Sequence, residues 1–193
     1  MKQIKRILPY LIISVLFSND FRELTTKATE HYFNQEYELA YKYSLEILEV
    51  SENHPYAHFY IGDYYGFKGE FEKTLHHYDI AIENHTSNVF ELAYYQRAIT
   101  KVVIYKDLTY CEDINVLKEV FKEDDTYQYL EEEHSIIFGL CQLASSPPHL
   151  LISSANFLGQ TGSCGYSLLF YNEALKNGTK EELAAYDNSL CKN

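Results

Sequence analysis

Basic side chains are scarce in this sequence. Of its 193 residues, 16 are lysine or arginine and 28 are aspartate or glutamate, which gives a formal net charge of −12 at pH 7. A nucleic-acid-binding surface needs a stripe of basic side chains that displaces counterions from the phosphates, and the sequence offers none. The composition therefore disfavours nucleic acid as a partner, whereas it is compatible with a basic protein or peptide.

Sequence motifs of catalysis are missing as well. The chain has no glycine-rich phosphate-binding loop, no HExxH, no paired CxxC and no Gly-x-Ser-x-Gly turn. His54 and His58 have the spacing of two metal ligands on a helix, but a proline lies between them. We predict no catalytic residue, no metal and no cofactor. The alternative is a small metal-dependent or other hydrolase that uses the histidines and the 145–163 loop.

Long stretches of alternating apolar and polar residues, the pattern of a strand, are also absent. Apolar residues instead recur every three to four positions, which is the stripe of an amphipathic helix. This spacing occurs at Tyr37, Ala40, Ser44 and Leu48, and again at Phe71, Leu75, Tyr78 and Ala81. The sequence has 19 tyrosines and no tryptophan. We interpret the tyrosines as fillers between paired helices that keep their hydroxyls at the wet rim.

A period of 34 residues relates two parts of the chain. The pairs at this offset are Ala28/Gly62, Tyr37/Phe71, Ala40/Thr74, Ser44/Tyr78 and Ile47/Ala81. Such a period is typical of a helix-pair solenoid, in which neighbouring units bury one another's apolar faces. The sequence therefore predicts an all-α solenoid whose concave surface binds a partner.

The repeat resembles the tetratricopeptide (TPR) family. The resemblance rests on Phe59, Ile61-Gly62 and Tyr65 in a first helix, and on Gly69-Glu-Phe71, Thr74, Tyr78 and Ala81 in a second. It implies about four units between roughly 25 and 176, of which the first and last are degenerate. In this family, the glycine lets the two helices of a unit touch. We accordingly expect a TPR-like domain over 19–193.

The third and fourth units are less regular. The third begins at Ala93 to Ala98 and continues at Tyr110 to Asp113. The fourth is predicted to have its first helix at 134–141 and its second from 161 to 175, separated by the segment 145–163. That segment suggests a short apolar helix that caps the stack, or a docking loop. Thr179 and Glu182 form a capping box that predicts a final capping helix to Leu190.

A partner-binding groove is the functional site that the resemblance implies. In TPR proteins the first helix of each unit lines the groove, where large side chains can anchor an extended apolar or basic segment. In this sequence the corresponding residues are Tyr56, Phe59, Asp63, Phe67, Leu92, Tyr95, Ile99 and Val102. We predict a non-catalytic module that binds a protein or peptide there.

The amino terminus has the form of a secretory signal peptide. Lys2, Lys5 and Arg6 precede an eleven-residue uncharged run from Ile7 to Phe17, which is short for a membrane span. We predict that residues 1–18 are a signal peptide, with an uncleaved amino-terminal anchor or a buried first helix as alternatives. The first reading places the protein in the periplasm, the cell envelope or the medium. The others leave it membrane-anchored or cytoplasmic.

If the chain is exported, its four cysteines are expected to form disulfide bonds. An even number of cysteines in a secreted chain favours disulfides, and the pairs Cys111/Cys141 and Cys164/Cys191 would each join neighbouring helices. The second pair is the favoured bridge. The alternative is four buried thiols that act as small apolar side chains.

Overall fold

The computed structural model describes residues 21–85, 91–106, 108–120 and 135–191, and these residues form ten helices and no strand. The predicted leader, 1–18, lies outside them. The helices are α1 (21–33), α2 (Tyr37–Val50), α3 (Pro55–Phe67), α4 (Phe71–Asn84), α5 (Glu91–Tyr105), α6 (Cys111–Val120), α7 (Ser135–Cys141), α8 (Pro148–Gln160), α9 (Cys164–Asn177) and α10 (Lys180–Ala184). Within the described ranges, no helix is long and apolar enough to cross a membrane.

The predicted all-α class is confirmed, and consecutive helices pack in adjacent pairs as in a helix-pair solenoid. The chain divides into two compact units, residues 1–93 and 94–193. Each unit has its own apolar core. Phe59, Tyr78 and Ala28 belong to the core of the first, and Phe138, Phe170 and Tyr110 to that of the second.

Helices α1 and α3 lie side by side and run in the same direction in the first unit. The hydroxyl of Thr29 is 3.0 Å from that of Tyr60, and the Tyr32 hydroxyl donates to Asp63 at 2.6 Å, so both contacts join residues 31 positions apart. A constant offset is the sign of parallel neighbours. Helices α2 and α4 fold back antiparallel to the helix that precedes each of them. Two successive helix hairpins therefore build this unit.

The turn between the helices of a hairpin repeats with the predicted period. Gln35 has a φ of 61° and Gly69 a φ of 76°, and these two residues are 34 positions apart. The same backbone hydrogen bond closes both turns, from Glu36 N–H to the His31 carbonyl and from Glu70 N–H to the Tyr65 carbonyl, each at 2.9 Å. The period in the sequence thus corresponds to a repeated backbone geometry.

Gly62 allows α3 and α4 to approach closely. A Cβ atom at this position would lie 2.6 Å from Cε1 of Tyr78, a distance that van der Waals repulsion forbids. Tyr78 is buried, and its hydroxyl donates to Asp63, so its ring is held in place. The expectation that this glycine lets the two helices of its repeat, α3 and α4, touch is confirmed.

The second unit begins with an ion pair between α5 and α6. The carboxylate of Asp113 accepts from Arg97 at 2.6 and 3.1 Å, and Lys101 Nζ lies 3.0 Å from it. Asp113 is buried, and buried carboxylates require partners of this kind. This contact fixes the position of α6 against α5.

Both predicted disulfides are present. Cys111 of α6 is bonded to Cys141 of α7 with a Cα–Cα distance of 5.3 Å, and Cys164 of α9 is bonded to Cys191 with a distance of 5.4 Å. No free cysteine is left in the chain. The alternative of four buried thiols is therefore wrong in this structure, and the bonds indicate an oxidising compartment.

Helix α8 corrects the predicted organisation of the fourth unit. The segment 145–163 contains the predicted short apolar helix, but this helix pairs within a hairpin rather than lying across the stack. Its helix α8 is the antiparallel partner of α9, and the Ser167 hydroxyl of α9 donates to the Ala155 carbonyl of α8 at 2.7 Å. The hairpin thus forms between 148–160 and 164–177, because Gly162, with a φ of 80°, permits a tight turn there.

The predicted final helix is shorter than expected. Its capping box is present, since the Thr179 hydroxyl accepts from Glu182 N–H and Glu182 accepts from Thr179 N–H, but α10 ends at Ala184 rather than Leu190. The chain then crosses α8 and α9 in a non-helical conformation. Tyr186 stacks on Tyr171 at a centroid distance of 4.2 Å. These contacts and the Cys191 bond hold the tail against α8 and α9.

We predict that Gly62→Ala destabilises the protein by roughly 1 to 3 kcal/mol, because overpacking forces Tyr78 away from α3. The free energy of unfolding from denaturant titration measures this effect. Gly66→Ala is the matched control on the same helix, since its Cβ would lie 3.5 Å from Thr74, an ordinary contact. That variant should be as stable as the parent or gain up to about 1 kcal/mol from helix propensity. Equal stabilities of the two variants would contradict the role of Gly62.

We expect the disulfide between Cys164 and Cys191 to stabilise the second unit by roughly 3 to 4 kcal/mol on the chain-entropy estimate, because it closes a separation of 27 residues. Cys164→Ser with Cys191→Ser should lower the melting temperature measured by circular dichroism. Non-reducing peptide mapping of native protein should recover this pair together with Cys111–Cys141. Four freely alkylated thiols would contradict the assignment.

Candidate functional site

A cavity of about 410 Å³ opens between α1 and α3 in the first unit. These are the first helices of successive hairpins, so the cavity lies on the face where the resemblance places a partner groove. We call it the α1/α3 cavity. Its lining residues are Phe21, Arg22, Thr25, Thr29, Ile47, His54, Tyr56 and Tyr60.

The threonine hydroxyls on the α1 wall are hydrogen-bonded to carbonyls of the preceding turn of the helix. Thr25 Oγ1 donates to the Arg22 carbonyl, and Thr29 Oγ1 lies 2.9 Å from the Thr25 carbonyl. This back-bonding to the preceding turn is the usual way in which a helix accommodates a threonine hydroxyl. Rings of Tyr56 and Tyr60 form the opposite wall. The cavity is therefore suited to an apolar or aromatic side chain.

Asp63 lies beside the cavity as the centre of a tyrosine network. Tyr32 from α1 donates to one carboxylate oxygen at 2.6 Å, and Tyr78 from α4 donates to the other. The Tyr32 ring also stacks on Tyr60 with centroids 4.6 Å apart. One carboxylate thus joins three helices behind the cavity wall.

Burial dominates the electrostatics of this network. Desolvation raises the pKa of Asp63, and the hydrogen bonds from Tyr32 and Tyr78 oppose that shift. The pKa values of both tyrosines are raised, first by burial and then by the neighbouring carboxylate. Both hydroxyls therefore stay protonated and act as donors at physiological pH. Because both oxygens of Asp63 already accept from tyrosines, it does not present an open charge to a basic partner.

Three histidines lie at the end of α3 nearest the cavity. His54 is the N-cap of α3, and its Nδ1 accepts from Ala57 N–H at 3.2 Å. His58 is buried, its Nε2 donates to the Glu52 carbonyl at 2.9 Å, and its Nδ1 lies 2.8 Å from Nδ1 of His77. Because Nε2 carries the hydrogen of neutral His58, Nδ1 of His77 is the donor between the two rings. These rings are used in hydrogen bonds within the fold.

Metal binding by these histidines gains no support from their positions. His54 and His58 point to different surroundings, the cavity and the core. Within the residues that the structure describes, no group of three or more His, Cys, Asp or Glu side chains is arranged to hold a metal ion.

The predicted groove residues divide by exposure. Tyr56 (45% exposed), Phe67 (71%) and Leu92 (37%) are accessible, and Tyr56 lines the α1/α3 cavity. Phe59 and Tyr95 are buried at 1% and 6% exposure, so their prediction as partner contacts is corrected to core residues. Phe59 lies one turn after Tyr56, but its ring points into the core between the helices. The helical periodicity of the sequence does not distinguish the two directions.

The remaining predicted positions are of mixed character. Asp63 is committed to its tyrosines, and Ile99 and Val102 are half-buried against the core of the second unit. Val102 also lines another cavity, of about 460 Å³, with residues 162–166 and neighbouring side chains.

Sequence reasoning missed several residues of the α1/α3 cavity. It assigns no site to Phe21, Thr25, Thr29 or Tyr60, and it considers His54 only as a metal ligand. The signal that relates them is the 31-residue offset between contacting residues of α1 and α3, which is three residues less than the period of the repeat.

Comparisons with protein-family models, with curated proteins and with solved structures return no match for this chain.

We predict that Asp63→Ala lowers the free energy of unfolding by roughly 2 to 4 kcal/mol, because it leaves the hydroxyls of Tyr32 and Tyr78 buried without their acceptor. Denaturant titration at pH 7 measures the loss. The matched control is Glu83→Ala on the exposed surface of α4, for which a change within about 0.5 kcal/mol is expected. A cost for Asp63→Ala no larger than that of the control would contradict the structural role of the network.

Proposed function

We propose that this protein is a non-catalytic interaction module that binds a protein or peptide partner at the α1/α3 cavity. The observation that carries the proposal is an open cavity between parallel first helices of two hairpins, lined by both aromatic and polar side chains, with an exposed Tyr56 on its wall. Concave sites of several hundred Å³ that combine aromatic side chains with placed polar groups are the usual form of a binding site. The resemblance to TPR repeats supports the same face as the partner groove.

The chemistry of the cavity favours an apolar anchor in the partner over a basic one. Asp63 is enclosed by two tyrosines, and the cavity lining itself contains no carboxylate. Arg22 is the charged side chain at the lining. An extended segment that inserts one aromatic or aliphatic side chain between Thr29 and Tyr56 suits these groups best. Basic residues elsewhere in the partner would still benefit from the negative net charge of the chain.

Export is the second part of the proposal. Residues 1–18 read as a signal peptide, and the two disulfides fit an oxidising compartment such as a periplasm or the extracellular medium. In such a compartment the second unit would keep both covalent links. The partner is then expected at the envelope or outside the cell.

Replacing Tyr56 by a photo-crosslinking phenylalanine analogue in native cells tests the proposal. A discrete crosslinked species is expected at position 56. The same analogue at Tyr105, which has nearly equal exposure of 47% but lies on α5, should give none. Tyr56→Ala should weaken capture of the identified partner by about 30-fold, since truncating an aromatic anchor commonly costs about 2 kcal/mol.

Circular dichroism should show Tyr56→Ala to be folded, because this side chain is exposed. Undiminished capture by Tyr56→Ala, together with loss of capture by Tyr105→Ala, would place the binding surface elsewhere and overturn the proposed cavity.

A further inference from the structure

His54 couples the helix cap of α3 to the wall of the α1/α3 cavity. Its ring lines the cavity and lies edge-on to Phe21 with centroids 5.7 Å apart. The same ring accepts the Ala57 N–H through Nδ1. An imidazole accepts a hydrogen bond only in its neutral form, because the protonated ring has donors alone. Protonation of His54 therefore removes the cap outright.

The surroundings of His54 make its protonated form unfavourable. Arg22 of α1 lines the same cavity, His58 follows one turn later on α3, and α2 contributes the apolar Ile47. The other titratable groups at the cavity are the neutral hydroxyls of Tyr56 and Tyr60. A positive ring would also lie at the amino terminus of α3, where the helix dipole is itself positive.

The turn that carries His54 is tied to the core by His58. The Nε2 hydrogen of His58 is bonded to the carbonyl of Glu52, which lies in the same turn, and His58 in turn accepts from His77 of α4. His77 is flanked by Tyr65 and His76. Loss of the His54 acceptor should therefore loosen only the short segment 51–57, because His58 still holds this turn to α4.

We infer that His54 is a pH-sensitive cap that holds its part of the α1/α3 cavity wall in place near neutral pH and releases it in mild acid. Its effect on a bound segment rests on the proposed function, and the expected consequence is weaker partner binding in acid. The titration itself needs no partner. The absence of partner capture would therefore contradict only the proposed function, whereas the absence of a His54-linked titration would contradict only this inference.

The direction of the pH effect follows from the pKa of His54. Burial, and then the nearby His58, lower this pKa below its ordinary value of 6.5. The unfolded chain consequently binds the proton more tightly than the folded one. The stability from the neutral cap is complete above about pH 6.5 and is lost as the pH falls through the lowered value.

The first experiment follows the full chain by NMR between pH 7.5 and 4.5. The Ala57 amide and the Phe21 ring resonances should titrate with the same midpoint as the His54 ring, below 6.5. A flat Ala57 amide, or one that follows the ring of His58 instead of His54, would overturn the inference. This measurement on the parent protein decides the question even if a variant fails to fold.

The second experiment uses His54→Asn, because asparagine is a preferred N-cap acceptor that does not titrate. As the pH falls from 7.5 to 4.5, the unfolding equilibrium constant of the parent should rise by a factor about five times larger than that of the variant. A change of about fivefold corresponds to the loss of one typical helix cap. His149→Asn, a change at an exposed histidine of α8, is the control and should keep the parent's pH dependence. An unchanged pH dependence in His54→Asn would overturn the inference.

Discussion

The close approach of α3 to α4 at Gly62 is the constraint on which the first unit depends. Only without a Cβ at Gly62 can the Tyr78 ring lie against α3 and its hydroxyl reach Asp63. Once Asp63 is held there, its second oxygen can accept from Tyr32, which positions α1. The α1/α3 cavity exists because this chain of contacts fixes the separation of its two walls. A loss at Gly62 would therefore be felt at the cavity, although neither Gly62 nor Tyr78 lines it.

The second unit is held by different interactions. Alanine rather than glycine occupies the corresponding slot at Ala98, and the link from α5 to α6 is the ion pair of Arg97 and Lys101 with Asp113. Breaking such a buried pair leaves an uncompensated charge and is costly, although forming it stabilises less than its geometry suggests. The disulfides add links where little helix is available: Cys141 lies at the end of α7, which has seven residues, and Cys191 lies in the non-helical tail after α10. Covalent bonds substitute there for apolar area that such short segments cannot bury.

The all-α class, the first two hairpins and both disulfide pairs could be predicted because they depend on local signals and on a repeat present twice in the chain. The pairing of α8 with α9 could not, since an apolar segment with two prolines at its start is equally compatible with a cap, a loop or a hairpin helix. The buried positions of Phe59 and Tyr95 were also missed. A helical period gives the spacing of a stripe, but two adjacent stripes on α3 face the core and the cavity, and both are aromatic. Only the packing against α1 and α4 distinguishes Phe59 from Tyr56.

The first hairpin shows how far a repeat can diverge while its geometry is retained. Gln35 stands where the second hairpin has Gly69, and it adopts the same left-handed backbone, which for a residue with a side chain costs of order 1 kcal/mol. The turn is kept because its hydrogen bonds satisfy the last carbonyls of α1, and because it aligns Tyr37 of α2 with Phe67 of α3, whose rings lie 6.0 Å apart. A strained residue is tolerated when the surrounding contacts determine its conformation. The degenerate first repeat, α1 and α2, can therefore still form one wall of the cavity. That wall depends on the direction of α1 and not on the sequence of the turn that follows it.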